Sequence, residues 1–179
     1  FSNEIKKIKN PDIVFLIGQT KILNSKFLDS NKMNIVIHES NLPKGKGFAP
    51  VQWQILEGKN EIPICAIEAS NKFDSGRILI KDKFTLNGTE LYDEIREKQA
   101  KATLKLIQKI LNLYPKLLYK KQNGKETFYK KRNPKDSEIN INQSIKKQFN
   151  LLRVGNNESW PSYFQYKGIK YLLKIYKDS

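Results

Sequence analysis

The chain has 179 residues, which suffices for one domain of ordinary size or for one domain with a small appendage. Hydrophobic residues make up 39% of it, which argues against wholesale disorder, and its longest apolar runs, residues 13–17 and 35–37, are far too short to span a membrane. A single cysteine, Cys65, excludes an internal disulfide, and a single histidine, His38, excludes a multi-histidine metal site. We therefore expect no metal site and no membrane partner. Because no signal-peptide pattern opens the chain, we also expect a reducing, cytoplasmic location.

The net charge of +15 results from 33 basic and 18 acidic residues and is unevenly distributed. Residues 1–114 have a net charge of +5, whereas residues 115–179 contain 15 basic and 5 acidic residues, a net charge of +10. A basic region favours acidic partners such as nucleic acid or nucleotide phosphates. However, only 4 of the 33 basic residues are Arg. The excess of Lys, together with 17 Asn, is equally typical of AT-rich codon usage and of a solvated surface. Both interpretations stay open.

Runs of β-branched and aromatic residues between Gly, Pro and Asn predict strands in the first part of the chain. The predicted strands are residues 13–17, 35–38, 62–69 and 78–80, with a short fifth strand at residues 84–86. The first two are continuous apolar runs, which are typical of buried parallel strands.

Three segments have helical signals. Residues 51–57 follow a proline that suits the first turn of a short helix. A long amphipathic helix is predicted to have Thr89 as its N-cap and to end near Leu113. Asn142 is the predicted N-cap of a third helix that continues to Leu152.

The order of these elements predicts an α/β domain over residues 1–114. Residues 115–179 are predicted to form a linker and a small helix-hairpin region. In the linker, Asn123-Gly124 is a signal for a hairpin turn, and Lys167-Gly168 predicts the turn of a terminal hairpin.

His38 and Asp74 are the strongest candidates for chemistry. His38 ends a buried strand, and Asp74 lies in an Asp-Ser-Gly turn between two strands. Because open α/β sheets place their sites at strand ends, we expect both residues in one cleft, at the C-terminal ends of adjacent strands. A carboxylate beside an imidazole forms a general acid–base pair. Each residue also has a structural interpretation, since a lone histidine is often structural and Asp-Ser-Gly alone marks only a turn.

Six segments that follow one another in a fixed order along the chain carry a more specific signal. They are residues 38–43, 47–58, 74–78, 129–136, 149–153 and 160–164. Together they resemble the folate-dependent formyltransferases, a family that includes methionyl-tRNA formyltransferase and the sugar N-formyltransferases. The resemblance implies an α/β fold with a Rossmann-like formyltransferase core, a mostly parallel sheet and a small C-terminal α+β appendage. The family begins with further β-α units, so the resemblance also implies that the N-terminal part of the core is missing here.

The resemblance implies transfer of a formyl group from 10-formyltetrahydrofolate to an amine, without a metal. In that reaction His38 would donate a hydrogen bond to the oxyanion, and Asp74 would accept the proton of the amine. The family has Asn two residues before its catalytic histidine, where this chain has Val36. Asn34, on the same strand face, is the predicted replacement, and Asn41 is the alternative.

The same resemblance assigns two groups of binding residues. The cofactor-binding residues would be Gly18, Gln19, Asn71, Ser75 and Gly76, in the loops that would line the pterin cleft. The acceptor-binding residues would be Pro43, Lys44 and Gly47, in the loop after the histidine.

The stretch from Ile37 to Gly45 is similar to that of short formyltransferase-like proteins associated with surface sugar biosynthesis. The expected partner is therefore a small-molecule amine, a nucleotide-linked amino sugar. One alternative is a methionyl-tRNA formyltransferase, which the basic residues 115–179 favour and the few residues after the long helix oppose. Strong RNA binding is not expected, because the basic residues are scattered lysines. The other alternative is a non-catalytic formyltransferase-like domain, which Val36 favours.

Overall fold

The computed structural model describes residues 11–178. Its elements follow the order β1 (Val14–Ile17), α1 (Ser25–Asp29), β2 (Asn34–His38), β3 (Lys46–Gly47), α2 (Pro50–Leu56), β4 (Glu61–Glu68), β5 (Ile78–Thr85), α3 (Tyr92–Leu113), β6 (Phe128–Tyr129), a 3-10 turn (Pro134–Ser137), α4 (Ile145–Arg153), β7 (Ser162–Tyr166) and β8 (Ile169–Leu173). Helix α1 and the short strands β3 and β6 have no counterpart among the predicted elements. The two strands predicted at residues 78–80 and 84–86 are one strand, because β5 pairs with β4 along its length.

Among residues 11–178, the central sheet has four strands in the order β1-β2-β4-β5. β1 and β2 are parallel, whereas β4 is antiparallel to both β2 and β5. The α/β class is confirmed, but within residues 11–178 the sheet is mixed, and the expectation of a mostly parallel sheet is corrected. For the β4–β5 pair the reason is a connection without a helix, since a parallel return needs a crossover of roughly a dozen residues or more. The β2–β4 pair is antiparallel although α2 lies in its connection.

The two faces of β2 have different roles because side chains alternate along a strand. Ile35 and Ile37 are buried and pack with Leu106 of α3 in the main core. Val36 and His38 point to the opposite face of the sheet. This alternation places the imidazole of His38 outside the main core, at the carboxyl end of a rigid strand.

Two predicted helix caps are wrong. Helix α3 begins three residues after Thr89, whose hydroxyl donates to the side chain of Asn87 instead of accepting from the helix. Helix α4 has Ser144 rather than Asn142 as its N-cap, and the Ser144 hydroxyl accepts from the backbone N–H of Lys147. At α4 several polar residues near the helix start can serve as the cap. At α3 the N-cap is Leu91, whose N–H donates to the carboxylate of Glu94.

The region after α3 is connected to the core by backbone pairing. β6 pairs in parallel with β3, so Asn123-Gly124 does not form the predicted hairpin. β7 and β8 form the predicted terminal hairpin, with Lys167-Gly168 at its turn. No helix within residues 11–178 has the length and apolar character that crossing a membrane requires.

Candidate active site

A cavity of about 500 Å³ lies at the carboxyl ends of β1 and β2. Residues 17–20 and 36–39, which end these strands, form one part of its wall. Residues 47–52, residues 73–74 and five residues of α3 form the rest of the described wall. A cavity of this size accommodates a small molecule or the reactive end of a larger one.

His38 is held at the base of this cavity. Its side chain is buried, and its Nε2 lies 2.8 Å from the carbonyl oxygen of Gly45. Because a carbonyl oxygen can only accept a hydrogen bond, Nε2 carries a proton and donates it to Gly45. The Nδ1 edge of the ring is therefore the edge that can interact with a substrate.

Asp74 faces that edge. Its Oδ1 lies 3.5 Å from Nδ1 of His38, and its Oδ2 accepts a 2.8 Å hydrogen bond from the backbone N–H of Gly47. The second contact fixes the carboxylate and leaves Oδ1 directed at the imidazole. Asp74 has a φ of 48°, in the left-handed region that residues with a side chain rarely adopt. Strained residues of this kind concentrate at functional sites.

The predicted position of Asp74, at the same end of the sheet as the carboxyl end of the strand that precedes it, is wrong in one respect. β4 is antiparallel to β2, so its carboxyl end lies beside the beginning of β2, where Glu68 pairs with Ile35. The loop after β4 must therefore extend back along the sheet face to bring Asp74 to His38. The two residues lie in one cavity, as expected, but not at the C-terminal ends of two strands that point the same way.

A buried imidazole beside a carboxylate can exchange protons with a substrate. When Nδ1 is protonated, it can donate to a developing negative charge, and Asp74 stabilises the imidazolium. When Oδ1 of Asp74 is free, it can accept a proton from a neutral amine. The 3.5 Å separation exceeds a normal hydrogen bond of about 2.7–3.2 Å, so both groups remain available to a ligand.

Asn34 does not lie at the cavity. Its side-chain amide donates to the carbonyl oxygen of Leu28 at 2.8 Å and accepts from Asn31 at 2.9 Å. These bonds fix the loop after α1 at the beginning of β2. The distance of four residues along a strand, roughly 13 Å, separates Asn34 from His38. The expectation that Asn34 replaces the family's amide is therefore corrected, and Val36, two residues before His38, lines the cavity with an apolar side chain.

The predicted cofactor-binding residues divide into two groups. Gly18 and Gln19 line the cavity, whereas Asn71 is exposed and lies outside its lining. The Ser75 hydroxyl donates to the carbonyl of Phe73, within its own loop. Gly76 is buried against β4, where a Cβ atom would lie 1.6 Å from the carbonyl oxygen of Glu68. Ser75 and Gly76 thus shape the loop that carries Asp74, and neither lines the cavity.

Of the predicted acceptor-binding residues, only Gly47 lines the cavity. Pro43 and Lys44 lie outside its lining, and Lys44 is exposed. A Cβ atom at Gly47, where φ is 97°, would lie 2.5 Å from the carbonyl oxygen of Tyr129. Only glycine fits this close approach, which brings the Gly47 N–H to Asp74.

Glu39, Arg96 and Gln99 are among the polar residues of the cavity lining that were not predicted. Gln99 of α3 donates to the carboxylate of Glu39 at 2.6 Å and accepts from Arg96 at 2.5 Å. Glu39 directly follows His38, so this chain of bonds joins α3 to the strand end. The sequence contains a signal for it, because residues 96, 99, 100 and 103 follow the helical spacing and form one face of α3.

Cys65 has no catalytic role in this arrangement. Burial raises the pKa of Cys65 to about 12, and its thiol donates to the carbonyl oxygens of His38 and Ser40. A thiol with such a pKa is not a nucleophile near neutral pH. Within residues 11–178, no group of three or more His, Cys, Asp and Glu side chains is arranged to hold a metal ion.

Comparison with known proteins identifies the family. The sequence model described as formyl transferase matches residues 2–118, which is more than half of the chain. The chain therefore belongs to the formyl transferase family, and His38 and Asp74 both lie within the matched residues.

Its curated relatives include methionyl-tRNA formyltransferases. That of Buchnera aphidicola (strain Tuc7) is 32% identical, and the match covers 95% of this chain and 55% of the relative. That of Thermodesulfovibrio yellowstonii is 29% identical over 92% of this chain and 54% of the relative. The bifunctional polymyxin resistance protein ArnA of Wigglesworthia glossinidia brevipalpis is 29% identical over 90% of this chain and 25% of the relative. The chain thus spans about half the length of the methionyl-tRNA formyltransferases that it matches.

Solved structures share the fold. The methionyl-tRNA formyltransferase from Clostridium thermocellum superposes with a TM-score of 0.81 at 23% identity, covering 99% of this chain and 76% of that chain. A 4-N formyltransferase from Francisella tularensis gives a TM-score of 0.68 at 20% identity, covering 94% of this chain and 72% of that chain. HypX from Aquifex aeolicus, in complex with tetrahydrofolic acid, gives a TM-score of 0.73 at 13% identity, covering 92% of this chain and 29% of that chain. These likenesses confirm the formyltransferase fold.

Proposed function

We propose that this protein transfers a formyl group from 10-formyltetrahydrofolate to an amine. The observation that carries the proposal is the His38–Asp74 pair at the base of a cavity of about 500 Å³. Membership of the formyl transferase family supports formyl transfer. The tetrahydrofolic acid complex of a protein with the same fold supports a reduced folate as the formyl carrier. The proposed reaction uses no metal.

In the proposed reaction the lone pair of a neutral amine attacks the formyl carbon, which forms a C–N bond and a tetrahedral oxyanion. The protonated Nδ1 of His38 donates a hydrogen bond to that oxygen, while its Nε2–H remains bound to Gly45. Oδ1 of Asp74 accepts the proton released by the amine, since Oδ2 is held by Gly47. As the oxyanion collapses to the carbonyl of the new formamide, the bond between the formyl carbon and N10 breaks. N10 takes up the proton held by Asp74, so tetrahydrofolate leaves and the carboxylate is restored.

For the folate, the proposed contacts are backbone groups of Gly18 and Gln19 at the end of β1. These residues line the cavity. The loop that carries Asn71, Ser75 and Gly76 would contribute through Asp74 and the preceding Phe73, which line the cavity, rather than through those three side chains.

For the acceptor, we propose an amino sugar linked to a nucleotide. Glu39 and Arg96 both line the cavity and are joined through Gln99. A carboxylate near the reaction centre attracts an amine, and a guanidinium at the rim suits a phosphate. The fold shared with sugar N-formyltransferases is consistent with such an acceptor.

A second acceptor, methionyl-tRNA, is favoured by two other observations. The curated relatives at 31–33% identity include several named methionyl-tRNA formyltransferase. The net charge of +10 over residues 115–179 would suit a nucleic-acid backbone. This acceptor predicts tRNA binding that weakens steeply as the salt concentration rises.

The test is an assay of the full chain with 10-formyltetrahydrofolate and either nucleotide-linked amino sugars or methionyl-tRNA. Mass spectrometry of the acceptor detects the added formyl group. Formylated amino sugar supports the first acceptor, and formylated methionyl-tRNA replaces it with the second. If the chain binds folate but transfers formyl to neither acceptor, the enzymatic proposal is contradicted in favour of the non-catalytic alternative.

A further inference from the structure

The loop that carries Asp74 is held from outside the predicted core domain. Nε2 of Gln122, in the segment after α3, donates to the carbonyl oxygen of Asp74 at 2.7 Å and to that of Gly76 at 2.9 Å. Because both partners are carbonyl oxygens, only the donor end of the Gln122 amide can face them. Its Oε1 is buried and finds no hydrogen-bond partner in the part of the chain that the structure describes. The amide is thus committed to this loop.

These bonds act on the residue whose backbone is strained. Asp74 is the residue with a φ of 48°, and its own carbonyl receives the shorter of the two bonds. A left-handed conformation at a non-glycine residue persists only when its surroundings fix it. Gln122 is therefore placed to keep the Asp74 carboxylate directed at His38.

A buried lysine also holds this loop. Lys46 is almost fully buried, and its Nζ donates to the Ser75 hydroxyl at 3.0 Å and pairs with the carboxylate of Glu126 at 2.6 Å. A buried ammonium group needs such partners, because leaving it unpaired is strongly unfavourable. Lys46 also directly precedes Gly47, whose N–H binds Asp74.

The segment after α3 also fixes the partner of His38. The Thr127 hydroxyl accepts from the N–H of Gly45 at 2.8 Å, and the carbonyl of Gly45 accepts from Nε2 of His38. One segment, residues 122–127, thus contacts the loop of Asp74 through Gln122 and the turn beside His38 through Thr127. It lies beyond residue 118, where the family match ends.

We propose that Gln122 and Lys46 are positioning residues of the active site, and that residues 122–127 belong to that site. They set the distance and orientation between Asp74 and His38 without touching substrate. This inference rests on the proposed function for its kinetic consequence, whereas its structural consequence is independent of it.

The test replaces Gln122 by Leu in the full chain, with Gln108→Leu as the matched control on the exposed side of α3. Because Asp74 would lose its backbone restraint, we expect Gln122→Leu to lower kcat for formyl transfer by about tenfold to a hundredfold, with a smaller change in KM. Lys46→Met should act in the same direction. Gln108→Leu should leave both constants at the values of the parent.

A second readout does not depend on activity. The chain has a single histidine, so the imidazole signals in an NMR spectrum belong to His38 alone. We expect Gln122→Leu to shift the Nδ1 signal and Gln108→Leu to leave it unchanged. If Gln122→Leu fails to fold, Gln122→Glu, which keeps the size and places oxygen against both carbonyls, replaces it with the same expectation. If the parent transfers no formyl group, the proposed function fails but the spectra still decide the positioning role. A variant at Gln122 with the kcat and imidazole signals of the parent would overturn the inference.

Discussion

Nδ1 of His38 and Oδ1 of Asp74 lie 3.5 Å apart, although the strands that precede them run in opposite directions. The contact depends on a loop that extends back along the sheet from the end of β4. Its geometry is fixed by the N–H of Gly47 on the carboxylate and by Gln122 on the backbone. The pair is thus produced by loop structure, with only His38 placed directly by a strand.

The first prediction concerns Asn34→Ala. Its side chain joins the carbonyl of Leu28 and the amide of Asn31 and does not reach the cavity. Removing it leaves the partly buried carbonyl of Leu28 without its donor, so we expect the free energy of unfolding to fall by about 0.5–1.5 kcal/mol. Formyl transfer by the folded fraction should stay close to that of the parent. Denaturant titration and a rate assay measure the two quantities, and a large loss of rate with unchanged stability would show a catalytic role instead.

The second prediction concerns Val36→Asn. Val36 lines the cavity two residues before His38, on the same face of β2. An amide there could donate to the oxyanion, and an oxyanion donor is worth about a hundredfold or more in rate. We expect Val36→Asn to raise kcat for formyl transfer, and Val36→Leu, which adds no donor, to leave it unraised. An unchanged kcat in Val36→Asn would mean that another group already supplies this hydrogen bond.

Much of the fold could be predicted because strong local patterns determine it. The continuous apolar run before His38 specifies β2, and the helical spacing after Leu91 specifies α3. The proximity of His38 and Asp74 could also be expected, since both residues lie in matching motifs of one family. What the sequence does not contain is strand direction, because an apolar strand such as β4 has the same pattern in parallel and antiparallel pairs.

Tertiary contacts determine the positions of the site residues that the sequence analysis missed or misplaced. Asn34 lies on the predicted face of β2, but its amide donates to the carbonyl oxygen of Leu28 in α1 and accepts from Asn31 in the loop that follows. Gln122 and Lys46 lie in a Lys-rich stretch and a Gly-rich loop, where composition predicts only a solvated surface. Lys46 is nevertheless almost fully buried, because Glu126 and Ser75 supply partners that no spacing rule reveals.

The third prediction concerns acid stability. Burial of Glu90 opposes its ionisation, but hydrogen bonds from Lys98 and from the N–H groups of Asn87 and Gly88 outweigh this and lower the pKa of Glu90 from 4.5 to about 2. Because the pKa is lowered in the folded state, the stabilisation is complete above about pH 4.5 and is lost as the pH falls towards 2. It amounts to about 3 kcal/mol.

Denaturant titrations between pH 7 and pH 3 measure this dependence. Glu90→Gln should be less stable than the parent at pH 7 and should lose less stability on acidification. Glu97→Gln, at an exposed ion pair with Lys101, serves as the control and should follow the parent. Equal acid dependence of the parent and Glu90→Gln would show that Glu90 is not the group concerned.

The proposed roles of His38 and Asp74 are tested by the rate of formyl transfer from 10-formyltetrahydrofolate by His38→Ala and Asp74→Asn, compared with the parent. Each variant should lose about a hundredfold to ten-thousandfold in kcat, because each removes one half of the acid–base pair. Asp74→Asn, which keeps an oxygen for the Gly47 N–H, should stay near the parent in free energy of unfolding. His38→Ala leaves the buried carbonyl of Gly45 without its donor and should lose about 1–3 kcal/mol, and Ile35→Ala, in the core, about 2–4 kcal/mol. Near-parental turnover in both His38→Ala and Asp74→Asn would contradict the account.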